Sequence, residues 1–291
     1  MTKIVKVAAA QLSSVFLNKE KTIEKACKAI LEAGENGADL IVFPEAFISG
    51  YPDWVWLIPN SKGADLNELY VKLVHNAVSV PDDSTRQLGK AAKTAGINVV
   101  IGMHERNSET SSGSLFNSLL FIDDQGLIMG KHRKLIPTGG ERLIWSQGDG
   151  STLRSYDTSA GKVAGLICWE NFMPLARTAL YAQNVEIYCA PTADTGDNWL
   201  ATMKHIGREG SCFVVGVAST LTGEDIPIDL PPHKPDNPVD GWIVPGDGII
   251  CGPLGDTLAG PMREEKGFLI LRGHIHIKHR PCLVTQGIII I

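Results

Sequence analysis

Three short segments each place one reactive side chain at or just after an expected strand end: Phe43-Pro44-Glu45, His132-Arg133-Lys134-Leu135 and Ile167-Cys168-Trp169-Glu170. Strand ends are where rigid scaffolds deliver functional groups. Thiol attack on an sp or sp² carbon needs a nucleophile, a base that takes and later returns protons, and a cation for the charge that develops on nitrogen or oxygen. Cysteine, glutamate and lysine supply those roles. Each residue taken alone has a plainer reading. A cysteine ending an apolar strand packs as a small hydrophobe, a glutamate after a proline is a solvated turn residue, and the lysine of Lys131-His132-Arg133-Lys134 is surface charge. His132 also invites a cysteine-histidine hydrolase reading, with an asparagine or aspartate as third member. Among the eight histidines only His274, His276 and His279 have ligand-like spacing, and that cluster is treated as incidental.

The elements that must position these groups alternate. Ile4–Ala10 reads as a buried strand, Lys21–Ala33 as a helix with Ile23, Ala26, Cys27, Ile30 and Leu31 on one face, and Leu40–Phe43 as a short strand ending at Pro44. Leu66 to Ala77 carries a second helical stripe, and Ser84–Ala95 forms a third helix. Asn98–Met103, Leu115–Ile122 and Leu127–Lys131 are strands, the last two joined by the turn Asp123-Asp124-Gln125-Gly126. Lys162–Cys168 is a strand running into Trp169-Glu170-Asn171, followed by a helix over Pro174–Gln183, a strand over Glu186–Ala190, a helix over Trp199–Gly210 and a strand over Phe213–Ala218. The alternation implies α/β or layered α+β architecture in one domain over 1–291, with no linker to divide it. Six prolines between Thr222 and Pro245 imply a loop excursion, placed over the active site.

Composition bounds the rest. Of 291 residues, 44% are hydrophobic and 20% charged, which suits a packed core and excludes wholesale disorder. A net charge of −5 gives no footprint for nucleic acid or an anionic membrane. No apolar run approaches the roughly 20 residues that span a bilayer, and the first residues lack the h-region of a signal peptide. The six cysteines contain no C-x-x-C pair, which argues against zinc or a disulfide framework and favours a reducing cytoplasm.

The three segments, in this order, resemble the nitrilase superfamily, whose members carry glutamate, lysine and cysteine each at the end of a core strand. The resemblance covers roughly residues 4–271. His132 to Thr138, then Glu141-Arg142-Leu143-Ile144-Trp145 and Gly148-Asp149-Gly150, is similar to the nitrilase branch. So is Cys168-Trp169-Glu170-Asn171 with Met173-Pro174, because amidase and carbamoylase branches commonly place tyrosine after the cysteine. The resemblance implies an α+β fold, a four-layer α-β-β-α sandwich. It implies Glu45 as general base, Lys134 as electrostatic stabiliser, Cys168 as nucleophile and Glu141 beside them, orienting substrate or lysine. The backbone N–H of Trp169 would help hold developing negative charge. Tyr51, Trp145, Trp169, Pro191 and Thr192 are the expected pocket residues, with Trp54 and Trp56 close to Glu45 in sequence.

The expected substrate is a small nitrile, converted to acid and ammonia with no metal or organic cofactor, by a homodimer or larger homo-oligomer. Rival readings are an amidase or carbamoylase, a cyanide hydratase, or an inactive interaction protein on the same scaffold. The tail, 272–291, departs from the family pattern: Gly273-His274 and Arg280-Pro281 survive, but the segment expected between Leu271 and them is missing. Ile288 to Ile291 is an apolar, β-prone end expected to pack against the same or a neighbouring subunit.

Overall fold

The computed structural model describes residues 2–59, 62–109, 111–227, 229–230, 240–276 and 288–290. Two mixed sheets dominate. The first runs from edge to edge as β15 (Ile288–Ile290), β14 (Gly267–His276), β1 (Thr2–Gln11), β2 (Leu40–Val42), β3 (Asn98–Arg106), β4 (Leu115–Ile122) and β5 (Ile128–Arg133). The second runs as β13 (Thr257–Arg263), β12 (Gly246–Cys251), β9 (Phe213–Ala218), β8 (Ile187–Thr192), β7 (Gly161–Gly165) and β6 (Tyr156–Thr158).

Strand periodicity of two explains the layering. Val5, Val7 and Ala9 of β1 enter a core shared with Ile187 and Cys189 of β8, Val215 and Val217 of β9, and Ile250 of β12, so the sheets pack face to face. The alternate residues Ala8 and Ala10 face the other way, against Ile23, Ala26 and Ile30 of α1 (Lys19–Glu35) and Leu88 and Ala92 of α4 (Asp83–Ala95). On the far side, Tyr188, Ala190, Val214 and Ile249 pack on Ala176 and Leu180 of α5 (Pro174–Tyr181) and Trp199, Met203 and Ile206 of α6 (Asp197–Gly210). The result is the four-layer α-β-β-α sandwich. Two further helices, α2 (Trp54–Leu57) and α3 (Gly63–His75), contribute Trp54, Leu69 and Leu73 to a satellite core with Trp145.

Strand direction decides where the ends meet. β2 and β3 are parallel, and two antiparallel steps through β4 turn β5 the same way as β2. β7, β8 and β9 are mutually parallel. The carboxyl ends of β2 and β5 in one sheet therefore emerge together, as do those of β7 and β8 in the other. Binding sites in open sheets form at such carboxyl ends.

Several expectations change. The strand expected to reach Cys168 ends at Gly165, because the chain turns sharply there and Cys168 itself has φ +51°. β12 and β13 had no place in the sequence reading. Glycines and a proline break their alternation, and their ladder shifts register repeatedly. The loop expected between Thr222 and Pro245 is framed by β10 (Leu221–Thr222) paired with β11 (Trp242–Val244); residues 228 and 231–239, on which the expected excursion falls, lie outside the described residues. In the tail, Ile288–Ile290 pairs antiparallel with Leu269–Leu271 of the same chain, while 277–287 and 291 lie outside the described residues.

Candidate active site

Glu45 lies three residues beyond β2. Phe43 still donates its N–H to Val100 O at 2.8 Å, and Pro44 then ends the ladder. The following loop runs against β3 so closely that a Cβ on Gly102 would sit 2.2 Å from Pro44 O and 2.6 Å from Ala46 N. Only glycine permits that approach. Glu45 is 1% exposed. Its Oε1 accepts from Lys134 Nζ at 2.9 Å and Asn117 Nδ2 at 2.7 Å, and its Oε2 accepts from the Ala193 N–H at 2.8 Å.

Lys134 is the first residue after β5. Its backbone is clamped on both sides: its N–H donates to Asn117 O at 2.8 Å and its carbonyl accepts from Gly148 N at 2.9 Å. Gly148 has to be small, since a Cβ there would lie 2.5 Å from Arg133 O. The fully buried ammonium reaches Glu141 Oε2 at 2.8 Å as well as Glu45. Glu141, on a short 3₁₀ turn over Gly139–Leu143, also accepts from the Thr138 N–H at 2.7 Å and from Tyr51 OH at 2.7 Å. One cation thus sits between two carboxylates.

The electrostatics follow from burial. Desolvation raises the Glu45 pKa above the usual carboxylate range, the Lys134 charge pulls it down, and the Glu141 charge pushes it up. For Lys134, burial disfavours the charge, but Glu45, Cys168 and Glu141 outweigh it and hold the ammonium protonated.

Cys168 opens a 3₁₀ turn just beyond β7. Its left-handed φ of +51° is strained for a side-chain-bearing residue, and such strain persists where neighbours over-determine it. They do so here. Asn171 Nδ2 donates to Cys168 O at 2.8 Å and Leu166 O at 3.2 Å, and its Oδ1 accepts from Tyr188 OH at 2.9 Å. Burial and the nearby Glu45 charge push the Cys168 thiol up to about 12, against the opposing Lys134 charge and a hydrogen bond from Thr192. Cys168 is therefore held as a thiol, with the Glu45 carboxylate near enough for its charge to act on it.

The remaining sequence-derived positions divide. Tyr51 donates to Glu141 and meets Trp145 edge-on, with ring centroids 5.8 Å apart; Lys134 Nζ lies 5.9 Å from the Trp145 ring. Thr192 reaches Cys168, and its neighbour Ala193 reaches Glu45. Trp169 is half-exposed and packs on Phe172, with centroids 4.9 Å apart. Pro191 is buried in the β8 ladder opposite Val217 and adds no polar group. Trp54 is core, whereas Trp56 is half-exposed and donates to Tyr51 OH at 3.3 Å. His132 does not serve Cys168: its Nε2 lies 3.1 Å from both oxygens of Glu170 and its Nδ1 3.1 Å from Thr152 Oγ1. Among the described residues no group of histidine, cysteine and acidic side chains is placed to hold a metal; the side chains of His274, His276 and His279 lie outside them.

Asn117, the Ala193 N–H and His104 were not anticipated. The Asn117-Ser118 pair inside the apolar run Leu115–Ile122 was the available signal. His104 accepts from Trp145 Nε1 at 3.0 Å through Nδ1, so its Nε2 carries the proton and donates to Gly50 O at 2.8 Å. Burial lowers its pKa to about 4, against the Gly50 hydrogen bond, which keeps the ring neutral.

The carbon-nitrogen hydrolase family model matches residues 6–275. The chain belongs to that family. As a carbon-nitrogen hydrolase it is 43% identical over 272 residues to an aliphatic nitrilase of Sinorhizobium fredii (strain HH103), covering 90% of this chain and 83% of the relative. It is 41% identical over 276 residues to nitrilase 2 of Arabidopsis thaliana, covering 91% and 79%. A bifunctional nitrilase/nitrile hydratase of Nicotiana tabacum is 40% identical over 276 residues, covering 92% and 77%. Among solved structures, an amidase from Nesterenkonia sp. superposes with a TM-score of 0.69 at 19% identity over 92% of this chain and 89% of that one, a likeness of fold.

Proposed function

We propose that this chain is a nitrilase that converts an organic nitrile to the carboxylic acid and ammonia. The observation that carries the reading is the buried Glu45–Lys134–Glu141 arrangement, at 2.8 to 2.9 Å, beside a cysteine held on a left-handed turn. Identity of 40–43% to nitrilases across nine-tenths of the chain supports it.

In the mechanism, Glu45 takes the Cys168 proton as sulfur adds to the nitrile carbon, and returns it to nitrogen, giving a thioimidate. Lys134 and the Trp169 N–H stabilise the negative charge developing on nitrogen. Glu45 then activates water, whose addition gives a tetrahedral intermediate. Loss of ammonia leaves a thioester, and a second water releases the acid and restores the thiol. Glu141 holds Lys134 and Tyr51, and Tyr51, Trp145, Trp169, Pro191 and Thr192 form the pocket.

A second product is consistent with the bifunctional relative. If the carbon–sulfur bond of the tetrahedral intermediate breaks before ammonia leaves, the amide is released instead. We further assign the chain to the cytoplasm as a homodimer or larger homo-oligomer of one domain with an atypical tail at 272–291. Among the described residues no helix is long and apolar enough to cross a membrane.

The test is a nitrile panel with ammonia, acid and amide measured separately, alongside amides and carbamoyl compounds. Acid plus ammonia from a nitrile is expected, and loss of both in Cys168→Ala and Cys168→Ser, since a hydroxyl is a far poorer nucleophile at neutral pH. About a tenth of the activity surviving in Cys168→Ala overturns the assignment, because losing a nucleophile costs far more. Turnover of amides alone makes it an amidase. Alkylation of Cys168 with no turnover of any substrate makes it an interaction protein.

A further inference from the structure

Glu170 is completely buried two residues beyond the nucleophile, and the mechanism above does not use it. Its contacts are unusual in where they lead. Oε2 accepts from the N–H of Ile167 at 2.7 Å, immediately before Cys168. Oε1 accepts from the N–H of Leu135 at 2.8 Å, immediately after Lys134. His132 Nε2 points between the two oxygens at 3.1 Å. Because the Glu170 carboxylate only accepts, His132 Nε2 carries the proton that faces it; Thr152 Oγ1, 3.1 Å from His132 Nδ1, also accepts from Arg133 N at 3.2 Å.

We propose that Glu170 is a positioning residue whose carboxylate clasps the turn carrying Cys168 to the strand end carrying Lys134, and so sets the separation of nucleophile and cation. Residues on both sides of Lys134 enter the clasp, His132 and Arg133 before it and Leu135 after it. The residue preceding Cys168 enters from the other sheet. Lys134 follows a strand of the first sheet and Cys168 a strand of the second, so the Glu170 hydrogen bonds add a polar tie between them to the packing of the two sheet faces. A carboxylate suits the task because both of its oxygens only accept, so it can take one backbone N–H from each side and share a third donor. The inference rests on the reading that Cys168 and Lys134 act on one reacting group.

The test is Glu170→Gln. An amide keeps the shape but turns its NH₂ against the N–H of either Ile167 or Leu135, loosening one arm of the clasp. With nitrile substrate, kcat is expected to fall about 100-fold, the effect of an ångström-scale misplacement, with KM changed by less than about threefold. The second readout is the rate of Cys168 alkylation by iodoacetamide at pH 8, followed by mass spectrometry. It is expected to fall, since a more distant ammonium favours the thiolate less. A Glu170 that serves packing alone lowers the melting temperature and leaves the alkylation rate unchanged, and that outcome overturns the proposal. So does a kcat within about threefold of wild type.

Should Glu170→Gln fail to fold, Thr152→Val and His132→Gln loosen the clasp from its outer end. Each is expected to lower kcat about tenfold and to slow alkylation at pH 8; no change in either variant refutes the clasp. If the wild-type protein turns over no nitrile, the proposed function fails, while the alkylation rate still decides the role of Glu170.

Discussion

Replacing Glu45 by glutamine separates its proposed role as a base from its role as a wall of the site. All three groups around the Glu45 carboxylate are donors: Lys134 Nζ and Asn117 Nδ2 on Oε1, and the Ala193 N–H on Oε2. In Glu45→Gln the amide oxygen does best facing Lys134 and Asn117, which sets its NH₂ against the Ala193 N–H. One buried donor left without an acceptor costs about 1–3 kcal/mol, and Lys134 keeps Glu141 as counter-charge. A fall of several degrees in Tm is expected with the fold intact. Turnover behaves differently. Loss of a general base costs about 10²–10⁴-fold in kcat, or about 3–5 kcal/mol of barrier. The Glu45 charge also helps hold the Cys168 thiol pKa up, so removing it lowers that pKa and makes alkylation by iodoacetamide at pH 8 faster. Ammonia release, alkylation rate and intact mass are read on the same preparation, and a stalled adduct on Cys168 is expected with substrate. Ammonia release within tenfold of wild type would refute the reasoning and move the base elsewhere, with Glu141 first to test. Turnover and alkylation lost together would show that Glu45 shapes the site without acting as base.

Gly102→Ala drives a Cβ into the Pro44 carbonyl, so the Glu45 loop has to move; we expect about 1–3 kcal/mol of destabilisation and about 100-fold lower kcat, and near-normal kinetics would show that the close approach is dispensable. His104 is neutral in the fold, with a pKa lowered from 6.5 to about 4. As pH falls, the unfolded chain takes this proton first, so the His104 contribution is whole above about pH 6.5 and is lost between there and about pH 4, at most about 3 kcal/mol. Urea midpoints at pH 7 and 4.5 should therefore differ less in His104→Gln than in wild type; equal differences count against this linkage. Deleting Val284 to Ile291 strips β15 from the edge of β14, and light scattering should then report smaller assemblies, whereas unchanged mass and solubility would mark the segment as dispensable.

Much of the scaffold was legible because its signals are local. The apolar runs that became β4 and β9 match Leu115–Ile122 and Phe213–Ala218 residue for residue, and the helical stripe beginning near Lys21 became α1. The chain order of Glu45, Lys134 and Cys168, each at or just past an expected strand end, likewise stands in the sequence without any knowledge of contacts. β12 and β13 were hidden because Gly246, Gly248, Gly260 and Pro261 interrupt the alternation on which a strand is recognised. What only the tertiary structure decided is which strand ends share an edge, because that depends on ladder direction across both sheets. It brings the Ala193 N–H to a carboxylate 148 residues earlier in the chain, and Asn117 to one 72 residues away. It turns His132 from a candidate base into a partner of Glu170, and gives Cys168 a backbone conformation that neighbours must enforce. Periodicity records which way a side chain faces within its own element; the partner it meets there is set by the packing of one sheet on the other.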